Sequence, residues 1–174
     1  MDSLFENVYT DTKESVRELF AQRYKVIRWI FLPLLSVEAV IFLLGLLLVD
    51  PKRYWFLFLI CTAGACYYIF LPRIQTGRYF RHMMQHYDGA IPETRVIFTE
   101  EDITIWFGQD CSHVPYNKIT DIYFGNHILL LRAGKVMSAT LIQDAFVKGS
   151  KEELVKFLQA KCPNLKMKIP DWKW

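Results

Sequence analysis

The chain has 174 residues, of which 52% are hydrophobic, 22% are charged and 16% are aromatic. Its formal net charge of +3 excludes the strongly basic balance that is typical of nucleic-acid-binding domains. The four cysteines form no Cys-x-x-Cys pair, which indicates reduced intracellular thiols and excludes a disulfide framework.

Residues 1–29 predict a short strand followed by a cytoplasmic helix. Phe5–Thr10 alternates weakly between apolar and polar side chains, as a strand does. Thr12 then precedes apolar residues at helical spacing and is a predicted helix start. Because no glycine or proline lies between Lys13 and Trp29, we expect this helix to run directly into the next segment.

Residues 30–72 are the most apolar part of the chain and predict a two-helix transmembrane hairpin. Two apolar runs, Ile30–Val49 and Tyr54–Leu71, each approach the ~20 residues that a helix needs to cross a hydrocarbon core. Pro51 lies in the break between them and forbids one uninterrupted helix. Since neither run alternates in polarity, a membrane β-barrel is excluded.

Basic residues beside the two runs predict how the hairpin is oriented. The connecting turn holds Lys52 and Arg53, whereas eight basic residues flank the outer ends of the runs. By the positive-inside rule, the turn is expected outside the cell and both termini in the cytoplasm. The sequence therefore predicts a plasma-membrane protein with two spans. The eight flanking residues are Lys13, Arg17, Arg23, Lys25, Arg28, Arg73, Arg78 and Arg81.

Residues 73–91 predict a second cytoplasmic helix, and residues 92–174 predict a β-domain. Asp88-Gly89 is the expected end of the helix. Short runs rich in β-branched and aromatic residues then alternate with turn residues, as in an antiparallel sheet. The predicted strands are Thr94–Thr99, Ile103–Phe107, Ser112–Tyr116, Ile119–Phe124, His127–Arg132 and Val136–Ile142.

A C-terminal helix completes the predicted β-domain. Ser150 and Glu153 have capping-box spacing ahead of an amphipathic pattern that ends at Cys162-Pro163. The predicted fold class is therefore a membrane α-helical hairpin plus an α+β domain. That domain is expected to be a PH-like antiparallel β-barrel or sandwich, capped by the C-terminal helix.

The layout and two local patterns carry a resemblance to a known family. The first pattern is Val114–Tyr123, a strand, turn and strand that end on a tyrosine. The second is Thr140–Phe146 before a glycine-serine helix start, with Leu141-Ile142-Gln143 in place of Ile-Pro-Lys. In these features the chain resembles the YcxB-like family of small bacterial membrane proteins. The resemblance implies an inner-membrane hairpin with a PH-like domain, and it assigns no catalytic role.

Glu38 is the candidate polar site inside the membrane, together with Thr62 and Gly64. It lies eight residues into the first run, which is about 12 Å deep in a helix. Counting from the turn places it level with Gly64 and near Cys61, Thr62 and Ala65, where small residues let helices approach closely. One interpretation is a neutral carboxyl group bonded to Thr62 or to a second copy; the alternative is a proton or ion path.

No catalytic, cofactor or metal site is predicted. His82 and His86 share a helix face, but the residues between them lack the glutamate of a His-Glu-x-x-His metal motif. Ser112 and His113 are neighbours on a predicted strand, so their side chains point to opposite faces and form no dyad. Nucleophile-elbow, phosphate-loop and dinucleotide motifs are all missing from the sequence. We therefore predict that the protein is not an enzyme.

The sequence offers one candidate contact with a membrane surface. The turn Glu100-Glu101-Asp102 is acidic and would repel a phosphoinositide headgroup. Lysine and tryptophan near the C-terminus suit an anionic headgroup surface instead. The alternative is a solvated tail whose tryptophans pack on the β-domain. The residues of this candidate contact are Lys166, Lys168, Trp172, Lys173 and Trp174.

These features predict a non-catalytic, membrane-anchored binding or regulatory module on the cytoplasmic face. Its expected partners are the lipid bilayer and an unidentified membrane or cytoplasmic protein, or further copies of the chain, but not nucleic acid. Two alternatives remain open. One is an oligomeric small transporter or channel component that uses Glu38, and the other is a protective or inhibitory partner of another membrane protein.

Overall fold

The computed structural model describes residues 3–49, 51–134, 137–162 and 165–168, with only the backbone of Met137, Ser138 and Lys168. The helices are α1 (Lys13–Arg23), α2 (Lys25–Leu48), α3 (Pro51–His86) and α4 (Lys151–Lys161). The strands are β1 (Phe5–Thr10), β2 (Glu93–Phe98), β3 (Asp102–Phe107), β4 (Asp110–Pro115), β5 (Ile119–Phe124), β6 (Ile128–Ala133), β7 (Met137–Ile142), β8 (Phe146–Lys148) and β9 (Lys166–Lys168).

The chain divides into two units, which we call the hairpin and the β-unit. The hairpin is Phe20–Tyr79, and the β-unit comprises the residues before Phe20 together with those after Tyr79. The hairpin therefore lies, in sequence, between strands β1 and β2 of the β-unit.

The hairpin consists of two antiparallel helices whose facing residues keep the same alignment along the length of the pair. The rings of Phe31 and Tyr68 stack with centroids 5.3 Å apart, and those of Phe20 and Tyr79 meet edge to face at 6.2 Å. Gly45 allows the closest approach, because a Cβ there would lie 2.9 Å from the Tyr54 ring. Aromatic contacts and a small residue therefore set the spacing of the two helices.

Helices α2 and α3 are long and apolar enough to cross a membrane by length and composition. None of the most apolar window of α2 is buried, and large side chains such as Trp29, Leu47 and Leu48 are exposed. In water, such a contiguous apolar surface would be costly. Both helices are therefore compatible with a lipid environment.

The helices differ from the predicted boundaries at two points. The N-terminal helix was expected to be continuous, but α1 ends at Arg23 and α2 begins at Lys25, with Tyr24 at φ −95° and ψ 6° between them. At the other end, a boundary at Pro72 was expected, but α3 continues through this proline to His86. A proline removes only its own N–H, and membrane helices often tolerate the loss.

The outer ends of the helices are capped as the sequence predicted. At the start of α1, the Ser15 N–H donates to Thr12 Oγ1 at 3.2 Å, and the Thr12 N–H donates to Ser15 Oγ at 3.1 Å. At the end of α3, Asp88 has a positive φ of 49°, and the Gly89 N–H donates to the Met84 carbonyl at 2.8 Å. The second arrangement is a Schellman motif, which ends the helix.

The β-unit contains two sheets that share one core with helix α4. Their strand orders are β4-β3-β2-β1-β8 and β7-β6-β5-β9. Within the described residues, the strand pairings are antiparallel except for that of β5 with β9. Inward-facing residues of both sheets form one cluster with the buried face of α4; its fully buried members include Phe98, Ile122, Leu129, Leu141, Leu154 and Leu158. The observed architecture is thus two apolar helices, an antiparallel sheet region and a C-terminal helix.

Most of the predicted strands and the final helix are confirmed within one or two residues. Phe5–Thr10 and Ile119–Phe124 have the predicted bounds, and the Ser150–Glu153 capping box forms at the start of α4. Strands β8 and β9 were not predicted, because they have three residues each and carry no alternating pattern.

Strand β1 joins the two sheets through buried polar contacts. The Asn7 amide is fully buried, donates to the Ile142 carbonyl at 2.8 Å and accepts from the Ile142 N–H at 3.1 Å. The Tyr9 hydroxyl donates to the Thr140 carbonyl at 2.8 Å. The bond from the Ile142 N–H satisfies a backbone donor of β7, and the Ile142 carbonyl also accepts from the Ala145 N–H at 3.2 Å.

Helix α1 contacts the turn between β5 and β6. The Glu18 carboxylate accepts from the backbone N–H of Asn126, and from that of His127 at 3.0 Å. Gly125 lies so close to this carboxylate that a Cβ would overlap it. The start of α1 is therefore part of the β-unit.

Replacing Asn7 should reveal how strongly β1 holds the two sheets together. Asn7→Leu removes both bonds to Ile142; the Ile142 N–H loses this partner, whereas the carbonyl keeps the bond from the Ala145 N–H at 3.2 Å, so we expect a loss of about 2 kcal/mol in the free energy of unfolding. Tyr9→Phe removes one hydrogen bond and should cost about 1 kcal/mol. Chemical denaturation followed by near-ultraviolet circular dichroism measures both. An Asn7→Leu protein as stable as the wild type would contradict the assigned role.

Candidate functional site

The polar site predicted in the hairpin is present but arranged differently. Glu38 is level with Cys61, whose Sγ lies 3.7 Å from Glu38 Oε2. The predicted bond to Thr62 is wrong, because the Thr62 hydroxyl donates within its own helix to the Phe58 carbonyl at 2.8 Å. A hydroxyl inside a helix often bonds to the carbonyl four residues earlier, which satisfies it locally.

Gly64 lies level with Leu35 rather than with Glu38. A Cβ at Gly64 would come within 3.3 Å of Leu35 Cδ1, so this glycine sits where the two helices pack closely. Glu38 and Gly64 thus occupy neighbouring turns of the hairpin and do not meet. The carboxyl group has the Cys61 thiol beside it.

The predicted membrane-surface residues are only partly described. Lys166 and Lys168 belong to β9, which pairs in parallel with β5, and the side chain of Lys166 is exposed. Trp172, Lys173 and Trp174 lie outside the described residues. The lysine-tryptophan contact therefore stays a prediction.

The β-unit contains an open cleft of about 450 Å³, which we call the acidic cleft. It lies where the β2–β3 turn, the 3₁₀ turn that follows β4 and the C-terminal end of α4 come together. Its lining residues are Glu100, Glu101, Pro115, Tyr116, Asn117, Ile119, Lys161 and Cys162.

Two hydrogen bonds fix the positions of Tyr116 and Cys162, which line the acidic cleft. The Tyr116 hydroxyl donates to the Thr99 carbonyl at 2.6 Å, and the Cys162 thiol donates to the Tyr116 carbonyl at 3.3 Å. Burial raises the pKa of Tyr116, and the nearby Asp102 carboxylate raises it further. Burial also raises the pKa of the Cys162 thiol. Both groups are therefore neutral at pH 7, and neither is poised as a nucleophile.

Lys161 lines the acidic cleft and connects two of the segments that form it. Its Nζ donates to the Glu100 backbone carbonyl at 3.2 Å and lies 5.8 Å from the centre of the Phe157 ring. This lysine therefore ties the end of α4 to the β2–β3 turn. Its cation–π contact is worth less than about 1 kcal/mol at an exposed position.

Glu100 and Glu101 give the cleft its charge. Both residues are exposed, and in the described part of the chain neither carboxylate forms an ion pair. Two carboxylates beside a cavity favour cations and repel phosphate. The acidic turn was predicted from the sequence, but its meeting with Lys161 and Cys162 was not, because about 60 residues of chain separate them and no local pattern reports that contact.

His82 and His86, which the sequence singled out, are exposed in α3. The rings of His82 and His86 stack at 6.0 Å on the surface of α3. Among the described residues, no three His, Cys, Asp or Glu side chains are grouped as metal ligands would be. Ser112 and His113 are opposite Ile105 and Thr104 in the register of β3 with β4, and successive strand residues face opposite sides of the sheet.

Comparison of the chain with family models, with curated proteins and with solved structures gives no match. The resemblance to the YcxB-like family therefore stays a prediction from the sequence. Any function must be argued from the residues of this chain.

Proposed function

We propose that the protein is a non-catalytic, membrane-anchored binding module of the YcxB-like family, whose PH-like β-unit binds a partner protein on the cytoplasmic face. The observation that carries this proposal is the pairing of β1 with β2 along six residues, from Phe5–Phe98 to Thr10–Glu93. The hairpin leaves the β-unit after the first of these strands and returns to it at the second. In sequence, the apolar helices are thus inserted between two paired strands of the β-unit.

The strand pairing supports two spans. Since β1 and β2 belong to one sheet, they lie on the same side of any membrane, and the chain between them crosses it an even number of times. Helices α2 and α3 supply two crossings of suitable length. The excess of lysine and arginine at the outer ends of the spans supports a cytoplasmic location for this side.

The architecture of the β-unit supports the PH-like assignment. A five-stranded and a four-stranded sheet enclose one core, and the amphipathic helix α4 packs into it through Leu154 and Leu158. Folds of this kind serve many functions, so the ligand has to be inferred from the surface.

The acidic cleft supports a basic protein segment as the ligand. A lysine or arginine side chain that enters the cleft would pair with Glu100 and Glu101 and replace water there. Phosphate headgroups are disfavoured by the same two carboxylates. The raised pKa values of Tyr116 and Cys162 support binding rather than catalysis, because neither group ionises near neutral pH.

The orientation can be tested by thiol labelling of intact cells. A Lys52→Cys protein should react with a membrane-impermeant maleimide, since the turn is outside. The native Cys111, which is exposed in the β-unit, should react only after the cells are permeabilised. Lys52→Ser serves as the matched control. Labelling of Cys111 on intact cells, with Lys52→Cys protected, would reverse the proposed orientation.

The cleft can be tested with a photo-crosslinking residue at Asn117 in native membranes. We expect a discrete protein adduct that a synthetic lysine-rich peptide competes away. Glu100→Lys with Glu101→Lys should weaken this adduct about tenfold, because it reverses the charges that attract the ligand. Asp144→Lys is the matched control, since Asp144 is exposed and lies outside the cleft. An adduct that is insensitive to the double reversal, or no adduct at Asn117, would contradict the proposed cleft function.

A further inference from the structure

The outer face of the β3–β4 hairpin carries a row of three residues that the binding function does not use. Cys111 Sγ lies 3.7 Å from His113 Nε2, and His113 Nδ1 lies 3.0 Å from Asp102 Oδ2. Cys111 and His113 are two apart on β4, so they share a face, and Asp102 reaches them from β3. Thiol, imidazole and carboxylate thus follow one another in hydrogen-bonding order.

The neighbours of His113 favour one tautomer of its neutral imidazole ring. The Asp102 carboxylate, 3.0 Å from Nδ1, can only accept a hydrogen bond, and the Thr104 hydroxyl at 3.2 Å can accept as well as donate one. The proton of a neutral imidazole therefore resides on Nδ1, and Nε2 is left as an acceptor. That acceptor faces the Cys111 thiol.

The carboxylate is held in place by its own turn. The Thr99 hydroxyl lies 3.2 Å from Asp102 Oδ1, and the Asp102 N–H donates to the same hydroxyl oxygen at 3.1 Å. The two-residue turn at Gly108, with φ of 58°, fixes the register that sets Thr104 opposite His113. The positions of Cys111, His113 and Asp102 are therefore fixed by the backbone of the β3–β4 hairpin and not by one flexible side chain.

Access distinguishes this thiol from the other cysteines. Cys111 is exposed on the sheet surface, whereas Cys162 is buried in the core. Cys61 and Cys66 belong to α3, within the apolar run. Among the cysteines, Cys111 alone combines exposure to water with a histidine at its sulfur, within the described part of the chain.

The other charged groups near this row are directed away from Cys111 or paired elsewhere, so the His113 imidazole is the base beside the thiol. Asp110 precedes Cys111 and faces the opposite side of β4. Arg95 lies two strands away and is paired with Glu6 at 2.6 Å. Trp106 is opposite Cys111 in the register and is partly exposed, so it shields one flank without carrying charge.

We propose that Cys111 is a site of reversible thiol–disulfide exchange, with His113 as its general base and Asp102 as a positioning residue, and that its co-reactant is a low-molecular-weight disulfide. His113 Nε2 takes the thiol proton, and the Cys111 sulfur attacks one sulfur of the disulfide. A new S–S bond forms as the old one breaks, and the departing thiolate takes the proton back from the imidazolium. Cys111 is oxidised to a mixed disulfide, and one small thiol is released.

Oxidised glutathione is the probe that tests this site on the full-length protein in lipid nanodiscs. Mass spectrometry of peptides follows the mixed disulfide at Cys111 over time at pH 7 and pH 9. We expect His113→Gln to slow the reaction about fivefold at pH 7, where an ordinary thiol needs a base to lose its proton. At pH 9 the two rates should differ by less than about twofold, because solvent then deprotonates the thiol without help. Asp102→Asn should show the same pH pattern with a smaller effect.

Two internal controls make the result decisive. His127→Gln removes another exposed histidine and should react as the wild type does. The buried Cys162 reports on folding, because its peptide stays unmodified as long as the β-unit is intact. Equal rates at Cys111 for the wild type and His113→Gln at pH 7, with Cys162 unmodified, would overturn the proposal. If His113→Gln exposes Cys162, the Asp102→Asn comparison decides in its place.

Discussion

The backbone pairing between β1 and β2 is the constraint on which the rest of the structure depends. Strand β1 lies inside the five-stranded sheet, with β2 on one side and β8 on the other. It also carries Asn7, whose amide bonds to both backbone groups of Ile142 in the second sheet. The segment between β1 and β2 is long, but the entropy of closing a loop grows only slowly with its length, and helices that pack as a hairpin shorten the effective distance. One strand from before the apolar helices therefore completes a domain that follows them.

The parts of the fold that could be predicted are those whose signal is local. Two apolar runs, the capping box at Ser150 and the Asp88-Gly89 helix end each depend on a few neighbouring residues, and the structure has them where expected. The helix boundary predicted at Pro72 differs from the observed one, because a proline costs less free energy in a helix whose other backbone groups are hydrogen-bonded. For Glu38, counting from the turn indicated only the neighbourhood of Cys61, Thr62 and Ala65. The structure brings Cys61 beside it, and the Thr62 hydroxyl bonds to the backbone of its own helix. Strand order, the acidic cleft and the Cys111 row arise from contacts between distant segments, which a single sequence does not report.

The β-unit presents two chemically different surfaces. The acidic cleft combines two exposed carboxylates and Lys161 with the buried Tyr116 and Cys162, and its carboxylates attract cations. The outer face of β3 and β4 places a thiol beside an oriented imidazole in water, an arrangement suited to exchange chemistry. Both surfaces adjoin strand β3, since Asp102 begins β3 directly after the turn that carries Glu100 and Glu101. A module that binds through one surface and is modified on the other is the functional picture that these residues support.

Hydrogen exchange of the full-length protein in lipid nanodiscs tests the central claim most directly. If β1 is an integral strand, its amides should open together with those of β2, and their free energies of opening should agree within about 1 kcal/mol. Peptides that cover Asn7 and Val96 supply the comparison. Exchange of residues 5–10 at the rate of a free peptide, with β2 to β7 still protected, would contradict the account.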